Sequence, residues 1–235
     1  MDAEYIRIAN AIQQKAQSHD KKRLLVAIAG IPGSGKTTTA SAVAQHLKIE
    51  SPNQTALVSM DGFHLSRATL DSLPNREEAY IRRGAPWTFD AARFVAFVQQ
   101  LRQWADSTPL TSEGSSSDPA VIYAPSFDHK AKDPVENGIA ITSDASIIIL
   151  EGNYLLLNEE NWRDVSQLVD YRIFVDADVQ EARERVARRH VIAGIEKTLE
   201  DGFRRVDSND YLNALHIQEK LITPDIVIKS VTESA

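Results

Sequence analysis

Cysteine is absent from the 235 residues, which excludes disulfides, thiolate nucleophiles and thiolate zinc sites and fits a reducing compartment. No apolar run approaches the roughly 20 residues that a membrane span needs. A basic excess is missing too. Lys and Arg number 26 against 33 Asp and Glu, a formal charge of −7, whereas a nucleic-acid partner normally requires a basic face. The first 22 residues lack the apolar centre of a secretion signal, and Asp2 and Glu4 are out of place in an acid-free transit peptide. Histidines spaced as H-x-x-x-H or HExxH are also missing, so zinc held by histidine is not expected. These absences leave the expectation of a cytoplasmic protein with no membrane and no nucleic-acid partner.

What is present begins with Gly30-Ile31-Pro32-Gly33-Ser34-Gly35-Lys36-Thr37, which fits G-x-x-x-x-G-K-[ST]. The apolar run Leu24 to Ala29 leads into it, and a helical stripe of Ala40, Val43, Ala44 and Leu47 follows. Strand, glycine loop and helix form the context that makes this motif a P-loop. Its amide groups and helix N-terminus suit the phosphates of a nucleoside triphosphate. The cradle is expected over Gly30 to Thr38, with Lys36 on the β/γ-phosphates and the Thr37 hydroxyl on Mg²⁺.

Four further apolar runs read as strands: Thr55–Met60, Ser146–Leu150, Tyr171–Val175 and Asp225–Ile228. Continuous rather than alternating apolar character is what a parallel sheet covered on both faces demands. Helical patterns at Asp90–Trp104, Glu159–Leu168 and Asp178–Ile192 separate them, and Tyr5, Ile8 and Ile12 mark an N-terminal helix within residues 1–22. The chain therefore reads as a single α/β domain over residues 1–235, a three-layer P-loop NTPase fold with helices on both faces of the sheet. Asp106–Asp118 has the composition of a surface loop. Val121–Tyr123 and Ile139–Ile141 flank Phe127-Asp128-His129 and could pair as a small β-hairpin.

Ligands in such folds sit beyond the carboxyl ends of the strands. Asp61 and Glu151 terminate two of them. Asp61 suits a general base for an acceptor hydroxyl, or equally a turn aspartate before Gly62. Glu151 suits a carboxylate orienting Mg²⁺, or one that merely ends its strand. Arg185 and Arg189 lie four apart on one helix face, either to bracket a transferring phosphoryl group or to pair with Glu181 and Glu184. His64, Arg82, Arg83, Phe89 and His129 could face an acceptor, and Asp90 reads as a helix N-cap.

GIPGSGKT, MDGFH, RRGAPWTFD, PSFDH, IILEGNYLLL and EARERVARRH together resemble the P-loop small-molecule kinases of the uridine kinase, phosphoribulokinase and pantothenate kinase group. The similarity is greatest to the nucleoside-kinase-like proteins described as fructose-transport-type kinases, and it runs from about Leu24 to Ile228. The resemblance implies a parallel sheet in the order 2-3-1-4-5 and an arginine-bearing helical lid at about 178–195. It implies ATP and Mg²⁺ as cofactors and a small-molecule acceptor; a monomer or homodimer is expected. Asp61 becomes the base, Glu151 the Mg²⁺-linked acid, and Arg185 and Arg189 the lid arginines. Asp61, His64, Arg82, Arg83, Phe89, Phe127, Asp128, His129, Glu151 and Tyr154 surround the acceptor. Uridine kinases carry N-F-D-H-P-D-A-F-D where this chain has RRGAPWTFD, so Gly84 replaces the acid that holds ribose hydroxyls and uridine is not implied. The two arginines suggest an anionic or polyhydroxylated acceptor. A nucleotide-dependent switch read by a protein partner is the alternative function.

Overall fold

Alternation within an apolar run divides each central strand between two cores. β1 (Leu24–Gly30) is buried along its whole length. Leu24, Val26 and Ile28 pack with α1 (Asp2–Gln17) and α2 (Lys36–Glu50) through Ile8, Ile12, Val43 and Leu47. Leu25, Ala27 and Ala29 face the opposite way, toward Phe94, Val98 and Leu101 of α5 (Ala91–Ser107). Successive side chains of a strand point to opposite faces, so a strand apolar at every position needs a helical layer on each side. The computed structural model that shows this describes residues 2–50, 55–111 and 119–230.

Four more strands complete the sheet: β2 (Thr55–Ser59), β5 (Ile147–Gly152), β6 (Tyr171–Asp176) and β7 (Ile226–Lys229). Its order is β2-β5-β1-β6-β7, all pairs parallel. Counted without the hairpin strands, this is the expected 2-3-1-4-5. Ser59, Glu151 and Ile28 stand in line across three neighbouring strands, so β2, β5 and β1 deliver their carboxyl ends to one edge.

β3 (Val121–Asp128) and β4 (Asp133–Thr142) form the expected hairpin, apart from the main sheet. It seats on the turn Met60–Phe63 that follows β2. A Cβ on Gly62 would stand 2.2 Å from the Pro125 carbonyl oxygen, so glycine is required by close approach rather than by backbone angle. Two short helices, α3 (Arg67–Ser72) and α4 (Arg76–Ile81), lie between this turn and α5. The Asp90 carboxylate accepts from the Arg93 N–H at 3.0 Å as the N-cap of α5.

Two expectations change. Of the helical pattern Glu159–Leu168, only the turn Trp162–Asp164 and α6 (Val165–Leu168) are helical, because Asn161 takes φ of 68° and interrupts the winding. Of the loop Asp106–Asp118, the first two residues belong to α5, and residues 112–118 lie outside the described residues. The remaining helices are α7 (Val179–Ile192), α8 (Leu199–Ser208) and α9 (Asp210–Glu219). Among the described residues no helix is long and apolar enough to cross a membrane.

Arg23, one residue before β1, is fully buried. Its guanidinium donates to the carbonyls of Ala145, Ala105, Thr108, Pro109 and Ser143 and stacks over Trp104. A buried cation is tolerated when its donors are satisfied. Here it ties the C-terminus of α5 to the start of the central strand.

Candidate active site

The P-loop needs left-handed backbone at Gly33 and Gly35, each with φ of 83°, a region open to glycine without penalty. Thr37 and Thr38 open α2 behind it. Burial pushes the Lys36 ammonium below its ordinary value, and the carboxylates of Glu151 and Asp61 oppose that effect. The Thr37 hydroxyl donates to Glu151 Oε1 at 2.8 Å. Glu151 is only 5% exposed while Thr37 is exposed, so this bond joins the open nucleotide loop to the buried acid of β5.

Asp61 sits two residues beyond β2. The turn it belongs to is capped by Ser59, whose hydroxyl accepts from the Asp61 N–H at 3.3 Å. The Asp61 carboxylate is therefore free of the capping work that a turn aspartate usually does. Its nearest cationic candidate is His64 Nδ1 at 4.0 Å, outside hydrogen-bonding reach. Nδ1 bonds the Asp61 carbonyl instead, at 2.8 Å. The ring lies between Phe89 and Phe127, with centroids 3.9 and 4.9 Å away.

Burial pushes His64 below its ordinary value, with Arg83 and His129 acting the same way and Asp61 opposing. An unfolded chain binds this proton near pH 6.5 while the folded one does not, so stability falls as pH drops below about 6.5. His190 is shifted in the same direction, again by burial. His64→Gln is therefore expected to show a shallower loss of melting temperature between pH 7.5 and 5.5 than the parent. Parallel curves would refute a neutral, buried His64.

Several residues expected around the acceptor have other employment. Tyr154 is fully buried against Phe89 and Trp162, and its hydroxyl donates to the Gly84 carbonyl. It fixes the loop and does not face open space. Arg82 turns away, donating to Asn209 and Asn213. Arg83 donates to the Leu65 carbonyl at 3.2 Å and stands 3.5 Å from Asp133, while its Nε is buried with no hydrogen-bond partner among the described residues. Arg82 is thus engaged by the amides of α9 and gives no support of its own to an anionic or polyhydroxylated acceptor, whereas Arg83 keeps one unpartnered donor among the described residues. Asp128 is exposed, and its carboxylate accepts the N–H groups of Lys130 and Ala131, which holds it below its ordinary value. It closes the hairpin turn, with exposed His129 beside it. Asp61, His64, Phe89, Phe127 and Glu151 remain gathered at the strand edge.

The arginines of α7 divide equally. Arg183 pairs with Asp207 and Arg188 with Glu184. Arg185 donates to the Gly33 carbonyl at 3.3 Å and to Ser230 Oγ at 2.7 Å, and also meets Glu181. Arg185 and Arg189 line a cavity of about 150 Å³ with Gly33, Gly35, Lys36, Thr37 and Thr38. Asp210, which no sequence pattern singles out, faces Lys36, Arg189, His190 and Arg205 from the first turn of α9. Burial pushes its carboxyl above the ordinary value while those cations pull it down.

Residues 25–233 match the model of the Phosphoribulokinase / Uridine kinase family. The uridine-kinase-like protein C227.14 of Schizosaccharomyces pombe is 37% identical over 212 residues, covering 90% of this chain and 85% of that one. Among solved structures, YFH7 of Saccharomyces cerevisiae superposes with a TM-score of 0.84 at 24% identity, over 97% of this chain and 99% of that one. A Silicibacter sp. TM1040 protein assigned as a fructose transport system kinase gives a TM-score of 0.79 at 25% identity, over 95% and 98%. The family match and the similarity along the whole chain show that the chain belongs to the phosphoribulokinase/uridine kinase family of P-loop kinases, phosphotransferases that act on a small-molecule alcohol.

Proposed function

We propose that the chain transfers the γ-phosphate of ATP to a hydroxyl of a small metabolite, a sugar, nucleoside or pantothenate-like alcohol, with Asp61 as general base. One observation carries this reading. An uncommitted carboxylate, Asp61, stands on the strand edge that also holds Lys36 and the 2.8 Å Thr37–Glu151 bond. In the proposed step Asp61 takes the acceptor proton and the acceptor oxygen bonds to the γ-phosphorus. The bond from that phosphorus to the β–γ bridging oxygen breaks, and ADP leaves with the electron pair. Lys36 stabilises the phosphate charge, and Arg185 and Arg189 cover the cavity from α7, which keeps water from competing.

Magnesium fits the residues present. Thr37 and Glu151 offer a hydroxyl and a buried carboxylate side by side, and Mg²⁺ favours a few such hard oxygens while keeping water or phosphate in its other positions. When bound, the ion would add positive charge beside the phosphates. Glu151→Gln is expected to raise the Mg²⁺ concentration for half-maximal turnover about 10–100-fold. An unchanged Mg²⁺ dependence would remove Glu151 from that role.

The experiment that tests the function is a coupled assay of ADP release from Mg·ATP across a panel of sugars, nucleosides, pantothenate and related alcohols. One acceptor should raise turnover well above the basal ATPase rate, and the phosphorylated alcohol should be recovered. Turnover unmoved by every alcohol in the panel, together with a protein captured only in the presence of ATP, would point to the switch instead.

A further inference from the structure

Asn209 stands at the N-cap of α9, a position where asparagine is favoured because its side chain bonds the first free amides. Here it makes no such bond. Its Nδ2 donates instead to the Arg83 carbonyl at 2.8 Å, 126 residues away in sequence. One turn on, Asn213 donates to Asn209 Oδ1 at 3.0 Å. Arg82 closes the set, with Nε to Asn209 Oδ1 at 3.3 Å and Nη2 to Asn213 Oδ1 at 3.0 Å. Asn209 is 7% and Asn213 2% exposed. Two buried amides are costly unless bonded, and a single guanidinium from another part of the chain donates to both amide oxygens.

Each end of this network leads to one side of the reaction. On the nucleotide side, α9 follows α8 directly, and α8 lies against α7 so closely that a Cβ on Gly202 would stand 2.8 Å from the Ala187 carbonyl oxygen. Val186, Ala187 and Val206 fill the interface, with Phe203 and Tyr211 against them. α7 in turn touches the P-loop, where a Cβ on Gly33 would stand 2.4 Å from the Ala182 carbonyl oxygen. On the acceptor side, Arg83 reaches the Leu65 carbonyl, Tyr154 fixes the Gly84 carbonyl, and Phe89 covers the His64 ring beside Asp61. Close-packed groups of this kind shift together rather than yield individually.

We propose that Arg82, Asn209 and Asn213 are positioning residues through which the helices over the P-loop set the segment 82–90 on the acceptor side. Seating a nucleotide then orders the acceptor wall, and by linkage an acceptor tightens nucleotide binding. The proposal rests on the reading of the P-loop as the nucleotide site.

The test is amide hydrogen exchange of the full chain with and without Mg·AMPPNP. In the parent, nucleotide should slow exchange in the P-loop peptide and, by about tenfold, in the peptide covering 82–90. In Asn209→Ala the P-loop should remain protected while the slowing at 82–90 drops below about twofold. Arg82→Met keeps an unbranched apolar side chain and removes the guanidinium, and it should give the same result should Asn209→Ala fail to fold. Arg82→Lys, able to reach one amide, should recover part of the slowing. Protection of the P-loop alone in the parent would overturn the link. So would equal slowing at 82–90 in the parent and Arg82→Met, or faster exchange there that is the same with and without nucleotide. Slowing at neither place would overturn the link together with the nucleotide reading beneath it.

Discussion

Asp61→Asn is expected to lower acceptor-stimulated kcat by about 10²–10⁴-fold, the usual contribution of a positioned general base. It should leave the Kd for Mg·ATP and the melting temperature close to the parent's. The second half of that expectation makes the first informative. Ser59 caps the turn, and the backbone carbonyl of Asp61, not its carboxylate, holds His64. The side chain is 43% exposed. An amide of the same shape therefore removes a proton acceptor while keeping the turn's hydrogen bonds, and Glu151 remains as the other carboxylate supporting the Lys36 charge. A structural aspartate would show the reverse pattern, lost stability with retained turnover. An Asp61→Asn enzyme that keeps more than about a tenth of the parent kcat would exclude Asp61 as the base.

Legibility in the sequence followed the range of the interactions. The central strands β1 and β5 could be read because burial along their whole length writes itself locally as an unbroken apolar run, and the flanking strands because they carry shorter runs of the same kind. The P-loop, Asp61 and Glu151 could be read because each sits at a strand end, where the fold places ligands. Arg82 could not. Its direction is decided by Asn209 and Asn213, 127 and 131 residues on, and no spacing rule connects them. Tyr154 misled for a related reason, since an aromatic after a strand-end acid suits a site wall as well as a core. Its contacts with Phe89 and Trp162 settle which. Asp128 looked like chemistry because it lies beside His129, but the tight turn of the hairpin claims its carboxylate first. Asp210 and Arg23 lacked any local signal. An acid at a helix start and a cation ending the run Lys21-Lys22-Arg23 before a strand are normally solvated, and only the assembled fold encloses them.

Gly33 is where the nucleotide loop and its covering helix make the same demand, and Gly33→Ala is expected to have the second large effect. The motif requires glycine at Gly30 and Gly35 but leaves position 33 open, so the pattern alone predicts no harm. Two physical terms predict otherwise. With φ of 83°, any residue bearing a Cβ incurs about 1–2 kcal/mol of backbone strain. The added Cβ would also stand 2.4 Å from the Ala182 carbonyl oxygen, and because that atom is helix backbone, no rotamer change relieves the overlap. Either the loop shifts and its amides cease to converge, or α7 lifts and takes Arg185 from the Gly33 carbonyl and Arg189 from the cavity. Both routes weaken nucleotide binding. A ligand at 100 times its Kd stabilises the folded state by about 2.7 kcal/mol, so the parent should melt several degrees higher with Mg·ATP, and Gly33→Ala should lose that shift, with Kd raised about 100-fold. Gly35→Ala supplies the comparison. It shares the φ of 83°, but its Cβ would meet nothing nearer than Ser230 Oγ at 3.8 Å. It therefore carries the strain without the collision and should retain more of the shift. Equal shifts in the two variants would mean that backbone strain alone matters at these positions, and that α7 does not need to rest on the loop for nucleotide to bind.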